Sequence, residues 1–290
     1  MRTILFHDKV TALIALGLVV ALLALVPAQL PRMWLYPLAR QLAAAKIAYQ
    51  TRDMAVYETP HFIIKYTAAD ADTVAMLATA AEAAYGPVTQ ALRYEPAEKT
   101  LLLVYPDRQQ LNQAFGWSGD QSAMGVYWGG VIRILSPHVW LKAGESTKEF
   151  IHKGPMVHEF THLVFDHMTS GNYTRWFTEG LAQYMEYRAN GYEWLTPRNK
   201  LTGKLYTMAE LDENFDNLPE QSLAYREALA AVRYIAEVHG EDKLMAIIAD
   251  LQKGRSTEAA ITGALGMDYQ AFEQAWQRWA VTNMKNYDEK

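Results

Sequence analysis

The sequence MVHEFTHLVF, residues 156–165, is the most informative segment of the chain. Its apolar residues recur at helical spacing, which predicts a helix running through a core. His158 and His162 are four positions apart, so on a helix both imidazoles lie on one face, and Glu159 projects beside them toward an open coordination position. A chain of this composition carries an HExxH pattern by chance about once in 70 sequences. The motif alone therefore does not establish a metal site.

A third metal ligand is needed, because hydrolytic zinc sites take three protein ligands and keep the fourth position for water. Residues 172–188, NYTRWFTEGLAQYMEYR, predict a second helix after a Thr-Ser-Gly break, and sixteen residues separate its Glu179 from His162. One helix-turn-helix step brings that carboxylate back to the imidazoles. The neighbouring Gly180 predicts a close approach of the two helices. We therefore expect one Zn²⁺ per chain, held by His158, His162 and Glu179.

The pairing of HEFTH with WFTEGLAQY resembles the gluzincin metallopeptidases, and most closely the bacterial peptidase MA-like family. The similarity extends over about residues 58–280. It implies a thermolysin-like zincin fold, with His158, His162 and Glu179 as zinc ligands and Glu159 as general base.

One position departs from the family pattern. Some gluzincins place an Asp four residues after the ligand Glu to support a ligand imidazole, and this chain has Gln183 there. Ligand histidines usually need such a partner. Asp166 or Glu186 is expected to take over that work.

The rest of the chain predicts a sheet followed by helices, an α+β architecture. Three strands are expected at residues 61–66 (HFIIKY), 100–105 (TLLLVY) and 125–135 (GVYWGGVIRIL), the last with a bulge or a close backbone approach at its paired glycines. Apolar spacing predicts helices at residues 74–92, 223–238, 242–251, 256–265 and 269–283.

These elements predict one metallopeptidase domain over residues 58–290. Its sheet part covers about residues 58–146, its zinc helices residues 155–190 and its C-terminal helices residues 205–290.

The first thirty residues are strongly biased in composition. Residues 10–26, VTALIALGLVVALLALV, carry no charge and are long for the core of a signal peptide. Trp34 and Tyr36 follow as an interfacial belt. We therefore expect residues 1–28 to be an uncleaved signal anchor, one transmembrane helix, and residues 29–57 to be a helical spacer. The catalytic domain would then be membrane-anchored and extracytoplasmic, or secreted if the segment is cleaved.

Composition excludes several partners and chemistries. The formal net charge is −5, and no run of Lys and Arg is interleaved with aromatic residues, which argues against a nucleic-acid partner. There is no cysteine, so disulfides, Cys-ligated zinc and thiol catalysis are excluded. Nothing in the sequence sets an oligomeric state.

Two functions of different class remain. The first is a membrane-tethered zinc metallopeptidase, an endopeptidase or an aminopeptidase acting on peptides or proteins, with Glu159 as base and zinc-activated water as nucleophile. No amine-binding motif is evident near the site, which favours the endopeptidase. Tyr225 is the candidate oxyanion donor, with simple packing in a helical interface as its alternative. The strand at residues 125–135 is expected either to pair with an extended peptide or to be plain sheet. The second function is a zinc-stabilised, catalytically silent binding or scaffold protein. Glu159 favours the first, because zinc binding alone needs only the ligands.

Overall fold

The computed structural model of the chain describes residues 29–117, 123–142, 144–285 and 287. Their core is a five-stranded sheet in the order β1-β2-β3-β5-β4. The strands are β1 (Ala55–Glu58), β2 (Phe62–Tyr66), β3 (Thr100–Tyr105), β4 (Gly125–Trp128) and β5 (Val131–Leu135). The sheet precedes most of the helices along the chain, so the α+β class is confirmed.

Pairing in the sheet is mixed. β2, β3 and β5 run parallel, while β1 and β4 are antiparallel to their neighbours at the two ends. Ile64, Leu102 and Ile132 on the three central strands are 0% exposed, as expected for a sheet that is covered by helices.

The prediction of one strand with a bulge over residues 125–135 is wrong. The alternative, a close backbone approach at the paired glycines, is confirmed, because a Cβ at Gly129 would lie 3.3 Å from Cβ of Ala43 and one at Gly130 would lie 3.0 Å from Cγ of Arg40. The segment is a hairpin, in which β4 and β5 are joined by Gly129 and Gly130. Both glycines have positive φ, 62° and 80°, which is the conformation of the two-residue turns that fit the twist of a hairpin. The paired glycines therefore mark a chain reversal.

Twelve α-helices follow in chain order within the described residues. They are α1 (Gln29–Gln50), α2 (Val74–Leu92), α3 (Arg108–Phe115), α4 (Pro137–Trp140), α5 (Thr147–Lys153), α6 (Met156–Thr169), α7 (Arg175–Asn190), α8 (Met208–Asn214), α9 (Gln221–Tyr234), α10 (Glu241–Gln252), α11 (Thr257–Leu265) and α12 (Tyr269–Asn283). Two 3₁₀ turns, Ala68–Asp70 and Phe215–Asn217, and a π-helical turn, Ile235–His239, complete the set.

Helix α6 lies at the centre of the domain, with α2 and α7 packed along it and β4 and β5 beside it. Phe160, Val164 and Phe165 of α6 are 0% exposed. Helix α7 is covered in turn by α9. This layering buries α6 on nearly every side and leaves the face that carries His158 and His162 toward α7.

Gly180 allows a close helix contact, but not the predicted one. A Cβ at this position would overlap the carbonyl oxygen of Ala228 and lie 2.8 Å from Cγ2 of Val232, both on α9. The expected close approach of α6 and α7 at Gly180 is therefore wrong. Gly180 faces another side of α7 than Glu179 because neighbouring helical positions point about 100° apart.

The predicted helical spacer over residues 29–57 is a helix only from Gln29 to Gln50, because residues 55–57 belong to strand β1 of the sheet. Its helix packs against the domain, where Tyr36 donates a hydrogen bond to Asp166 on α6. The predicted anchor, residues 1–28, lies outside the described residues and stays a prediction. Among the helices that are described, none is long and apolar enough to cross a membrane.

Candidate metal centre

The two histidines of α6 face the same side of the helix. Their ring centroids are 4.7 Å apart and the rings are nearly perpendicular. The helix ends at Ser170 and Gly171, which have positive φ of 53° and 73° and turn the chain toward α7. This turn brings α7 back alongside α6.

Helix α7 carries Glu179 to the two imidazoles. Oε2 of Glu179 is 3.1 Å from Nε2 of His158, and Oε1 of Glu179 is 3.5 Å from Nε2 of His162. The ligand atoms of all three residues lie within 4.8 Å of one another. Two imidazole nitrogens and one carboxylate oxygen are the donor set of hydrolytic zinc sites, so these residues fit the ion that the sequence predicts.

Each imidazole is held from its far side by a residue of α7. Nδ1 of His158 lies 2.8 Å from Oε2 of Glu186, and Nδ1 of His162 lies 2.7 Å from Oγ1 of Thr178. Such contacts fix the ring so that Nε2 faces the metal position. Of the two partners expected for an imidazole, Glu186 makes the contact. Thr178 was missed, although it directly precedes Glu179.

Gln183 and Asp166 have other partners. The Gln183 amide donates to the backbone carbonyl of Glu179 at 3.2 Å and to that of Tyr225 at 2.8 Å, which ties α7 to α9. Asp166 is 0% exposed and accepts hydrogen bonds from α1 and β4, among others. The alternative expectation that Asp166 supports a ligand imidazole is wrong, because its carboxylate is already taken up by these donors.

Glu159 lies beside the imidazoles and is 6% exposed. Its Oε2 accepts a hydrogen bond of 2.6 Å from the backbone N–H of Tyr127 on β4. Burial raises the pKa of Glu159 to about 7, against the opposing charge of His158. Gly125 makes room for this carboxylate, since a Cβ there would lie 2.7 Å from its Cγ.

Arg175 is a site residue that sequence reasoning missed. Its Nη1 lies 2.7 Å from Oε1 of Glu179 one helical turn further on, and its Nε lies 3.2 Å from Oδ1 of Asp216. Burial pushes the pKa of Glu179 upward, but Arg175 and His162 hold it well below the ordinary value. The i, i+4 spacing of Arg175 and Glu179 was the signal that would have found this pair.

Tyr225 lies on α9, where its ring packs 5.2 Å from that of Phe215 and 6.2 Å from that of Trp194. Burial and the charge of Glu179 raise the pKa of its phenol. Both expectations for this residue thus have a physical basis, packing in a helical interface and proximity to the metal ligands. Its role as an oxyanion donor stays a prediction.

A cavity of about 160 Å³ opens beside His162. Its wall includes residues from α1, β4, α7 and the segment before α7, namely Tyr36, Tyr127, Trp128, Tyr173 and Arg175.

A sheet with an end strand over a buried glutamate, and two helices that present two imidazoles and a carboxylate, define a peptidase-like fold with a candidate metal site. The family model of the Peptidase MA superfamily matches residues 101–282, well over half of the chain. The chain belongs to the Peptidase MA superfamily. No curated protein was found to match it.

Proposed function

We propose that this protein is a membrane-tethered zinc metallopeptidase, with His158, His162 and Glu179 as zinc ligands and Glu159 as general base. The observation that carries the proposal is the cluster of three donor atoms within 4.8 Å of one another beside a buried carboxylate. Zinc bound by these residues would supply Lewis acidity, which lowers the pKa of water and polarises a scissile carbonyl.

Glu159 has the position that a general base requires. Its carboxylate takes a proton from the attacking water and passes it to the departing amine. The Tyr127 amide holds Oε2 at 2.6 Å, so the orientation of the carboxylate is set before a substrate binds. Such preorganisation lowers the barrier because no group has to reorient during the reaction.

The position of strand β4 at the end of the sheet favours a peptide as the substrate. It ends the sheet order, and among the described residues it has a strand neighbour on one side only. In its antiparallel ladder the N–H of Leu135 bonds to the carbonyl of Met124, so the alternate residues Gly125 and Tyr127 direct their backbone groups away from β5. The outward N–H of Tyr127 is taken by Glu159, so an extended peptide would add to this edge through the backbone groups of Gly125 and the carbonyl of Tyr127.

Internal cleavage is the proposed mode. An exopeptidase needs a fixed charge for a chain terminus. Within the described part of the chain, the cation that lines the cavity, Arg175, is paired with Glu179 and Asp216. This pairing argues against a carboxypeptidase, which needs a cation for the C-terminal carboxylate, and in that respect supports internal cleavage.

Membrane attachment is proposed from the uncharged run at residues 10–26. We expect the full-length chain to stay with membranes after alkaline carbonate extraction, and added protease to digest its domain from the extracytoplasmic side. Release of a soluble chain that begins after residue 28 would show a cleaved signal peptide instead.

The catalytic assignments are tested on the full-length protein in detergent and its variants Glu179→Ala and Glu159→Gln. We expect about one zinc per chain in the parent by elemental analysis, loss of zinc in Glu179→Ala, and retained zinc with about 10²- to 10⁴-fold slower cleavage of a mixed peptide library in Glu159→Gln. A folded parent that binds no zinc would overturn the proposal. A parent that binds zinc but cuts nothing would favour the zinc-stabilised binding or scaffold protein.

A further inference from the structure

Helix α1 is bonded to α6 through one buried carboxylate, that of Asp166. Asp166 lies one turn after His162 and its side chain is 0% exposed. It accepts hydrogen bonds from the hydroxyls of Tyr36 at 2.7 Å, Tyr127 at 2.6 Å and Tyr173 at 3.0 Å. Arg40, a turn after Tyr36 on α1, adds a charged bond of 3.0 Å from Nη1. A buried carboxylate with four such donors is well compensated.

Glycines on the domain leave room for α1 independently of that carboxylate. A Cβ at Gly171 would lie 2.8 Å from Cζ of Tyr36, and a Cβ at Gly130 would lie 3.0 Å from Cγ of Arg40. Both glycines also have positive φ, 73° and 80°. The surface of the domain is thus shaped to receive this helix.

The docked helix forms part of the cavity beside His162. The hydroxyls of Tyr36, Tyr127 and Tyr173 donate to Asp166. A ligand in the cavity therefore contacts mainly the rings of these residues. Trp128, which is 58% exposed, adds a further ring. The charge of Arg175 is compensated by its two carboxylate partners. Four of the eight residues that line the cavity are thus Tyr or Trp, and a flat aromatic group can stack on their rings.

We propose that α1 supplies one wall of a substrate subsite, with Tyr36 as a specificity-determining residue, and that this subsite selects an aromatic side chain next to the scissile bond. The inference rests on the proposed peptidase function. It makes α1 a working part of the catalytic domain in addition to a connection to the N-terminal segment.

Cleavage-site profiling of a mixed peptide library tests the proposal with the full-length protein. We expect the parent to enrich Phe, Tyr and Trp over Ala about tenfold at one position flanking the scissile bond. Tyr36→Ala should reduce this enrichment to about twofold with zinc content unchanged, whereas Tyr36→Phe, which keeps the ring, should retain it. Tyr49→Ala is the matched control, since Tyr49 lies on the same helix and is 68% exposed.

Three outcomes would overturn the inference. They are a parent profile without aromatic enrichment, an enrichment that Tyr36→Ala leaves unchanged, and a preference for acidic side chains, which would assign the cavity to Arg175. Tyr36→Leu is included in case Tyr36→Ala unfolds, because leucine keeps apolar volume without an aromatic face. It should lose most of the enrichment.

A binding measurement separates this inference from the proposed function. Titration calorimetry of the zinc-free protein with N-acetyl-phenylalanine amide and N-acetyl-alanine amide needs no turnover. We expect the phenylalanine ligand to bind about tenfold more tightly, and the preference to fall in Tyr36→Ala. If the protein shows this preference but neither binds zinc nor cuts peptides, the aromatic subsite is supported and the proposed peptidase function is overturned. Equal binding of the two ligands would remove the subsite.

Discussion

At the scale of single residues, the imidazoles of His158 and His162 are oriented by partners that lie away from the candidate metal position. Glu186 is the partner of His158, at 2.8 Å from Nδ1. Because the carboxylate orients the ring and raises its basicity, Glu186→Gln should weaken zinc binding by about tenfold and Glu186→Ala by up to about 100-fold. Competition with a chromophoric chelator measures the dissociation constant. Glu213→Gln, at an exposed position, is the control, and an unchanged constant in Glu186→Ala would contradict the assignment.

Gly125 is a second residue whose effect is local. A Cβ there would lie 2.7 Å from Cγ of Glu159 and 2.8 Å from Cβ of Pro155. Gly125→Ala should displace the carboxylate and lower kcat by about tenfold or more, while zinc content stays at the parental value. Steady-state kinetics and elemental analysis check both parts. Gly203→Ala is the control, since a Cβ at Gly203 meets nothing within 4 Å. Parental kcat in Gly125→Ala would show that the carboxylate tolerates the methyl group.

At the scale of elements, α9 packs against α7 on the side that faces away from the candidate metal centre, and this contact supports the position of α7. Gly180→Ala would force a methyl group into the Ala228 carbonyl and against Val232, so the free energy of unfolding should fall by about 1 to 3 kcal/mol. Urea denaturation measures the change. Gly263→Ala is the control at an exposed helical glycine, where the nearest atom, 3.3 Å away, is the end of the flexible Arg255 side chain. That substitution should be neutral or stabilising.

At the scale of the whole molecule, the buried Glu227 on α9 makes stability depend on pH. Both of its carboxylate oxygens lie 3.1 Å from the backbone N of Tyr206. Burial raises its pKa to about 9, and the charges of Glu210 and Glu273 add to the shift. Between the unfolded pKa of about 4.3 and this folded value, the folded state holds a proton that the unfolded state releases. Protonated Glu227 therefore makes its largest contribution to the free energy of unfolding below the unfolded pKa, and this contribution is lost as the pH rises toward 9.

Glu227→Gln should remove this part of the pH dependence, because glutamine resembles the protonated carboxyl and does not titrate. Relative to the variant, the parent should lose on the order of 1 kcal/mol of unfolding free energy per pH unit between about pH 5 and pH 9. Urea denaturation of both proteins across that range gives the difference. Parallel pH profiles would mean that Glu227 is ionised in the folded state at neutral pH.

The order of residues alone predicts the α+β class, the strands at Phe62–Tyr66 and Thr100–Tyr105, the helix at Val74–Leu92 and the two helices of the candidate metal site. It also placed His158, His162 and Glu179 together. These features depend on periodicity within one element or on one short turn between helices. Such local relations are legible in the order of residues.

The residues that complete the candidate site come from distant parts of the chain, so they are known only from the fold. Tyr36 and Asp166 are 130 positions apart in the chain, and Tyr127 and Glu159 are 32 positions apart, so no local sequence pattern predicts their contacts. Gly180 shows the same limit, since its partner is α9 and not the helix that precedes it in the chain. Contacts between distant segments are set by how elements pack, and packing is a property of the assembled core.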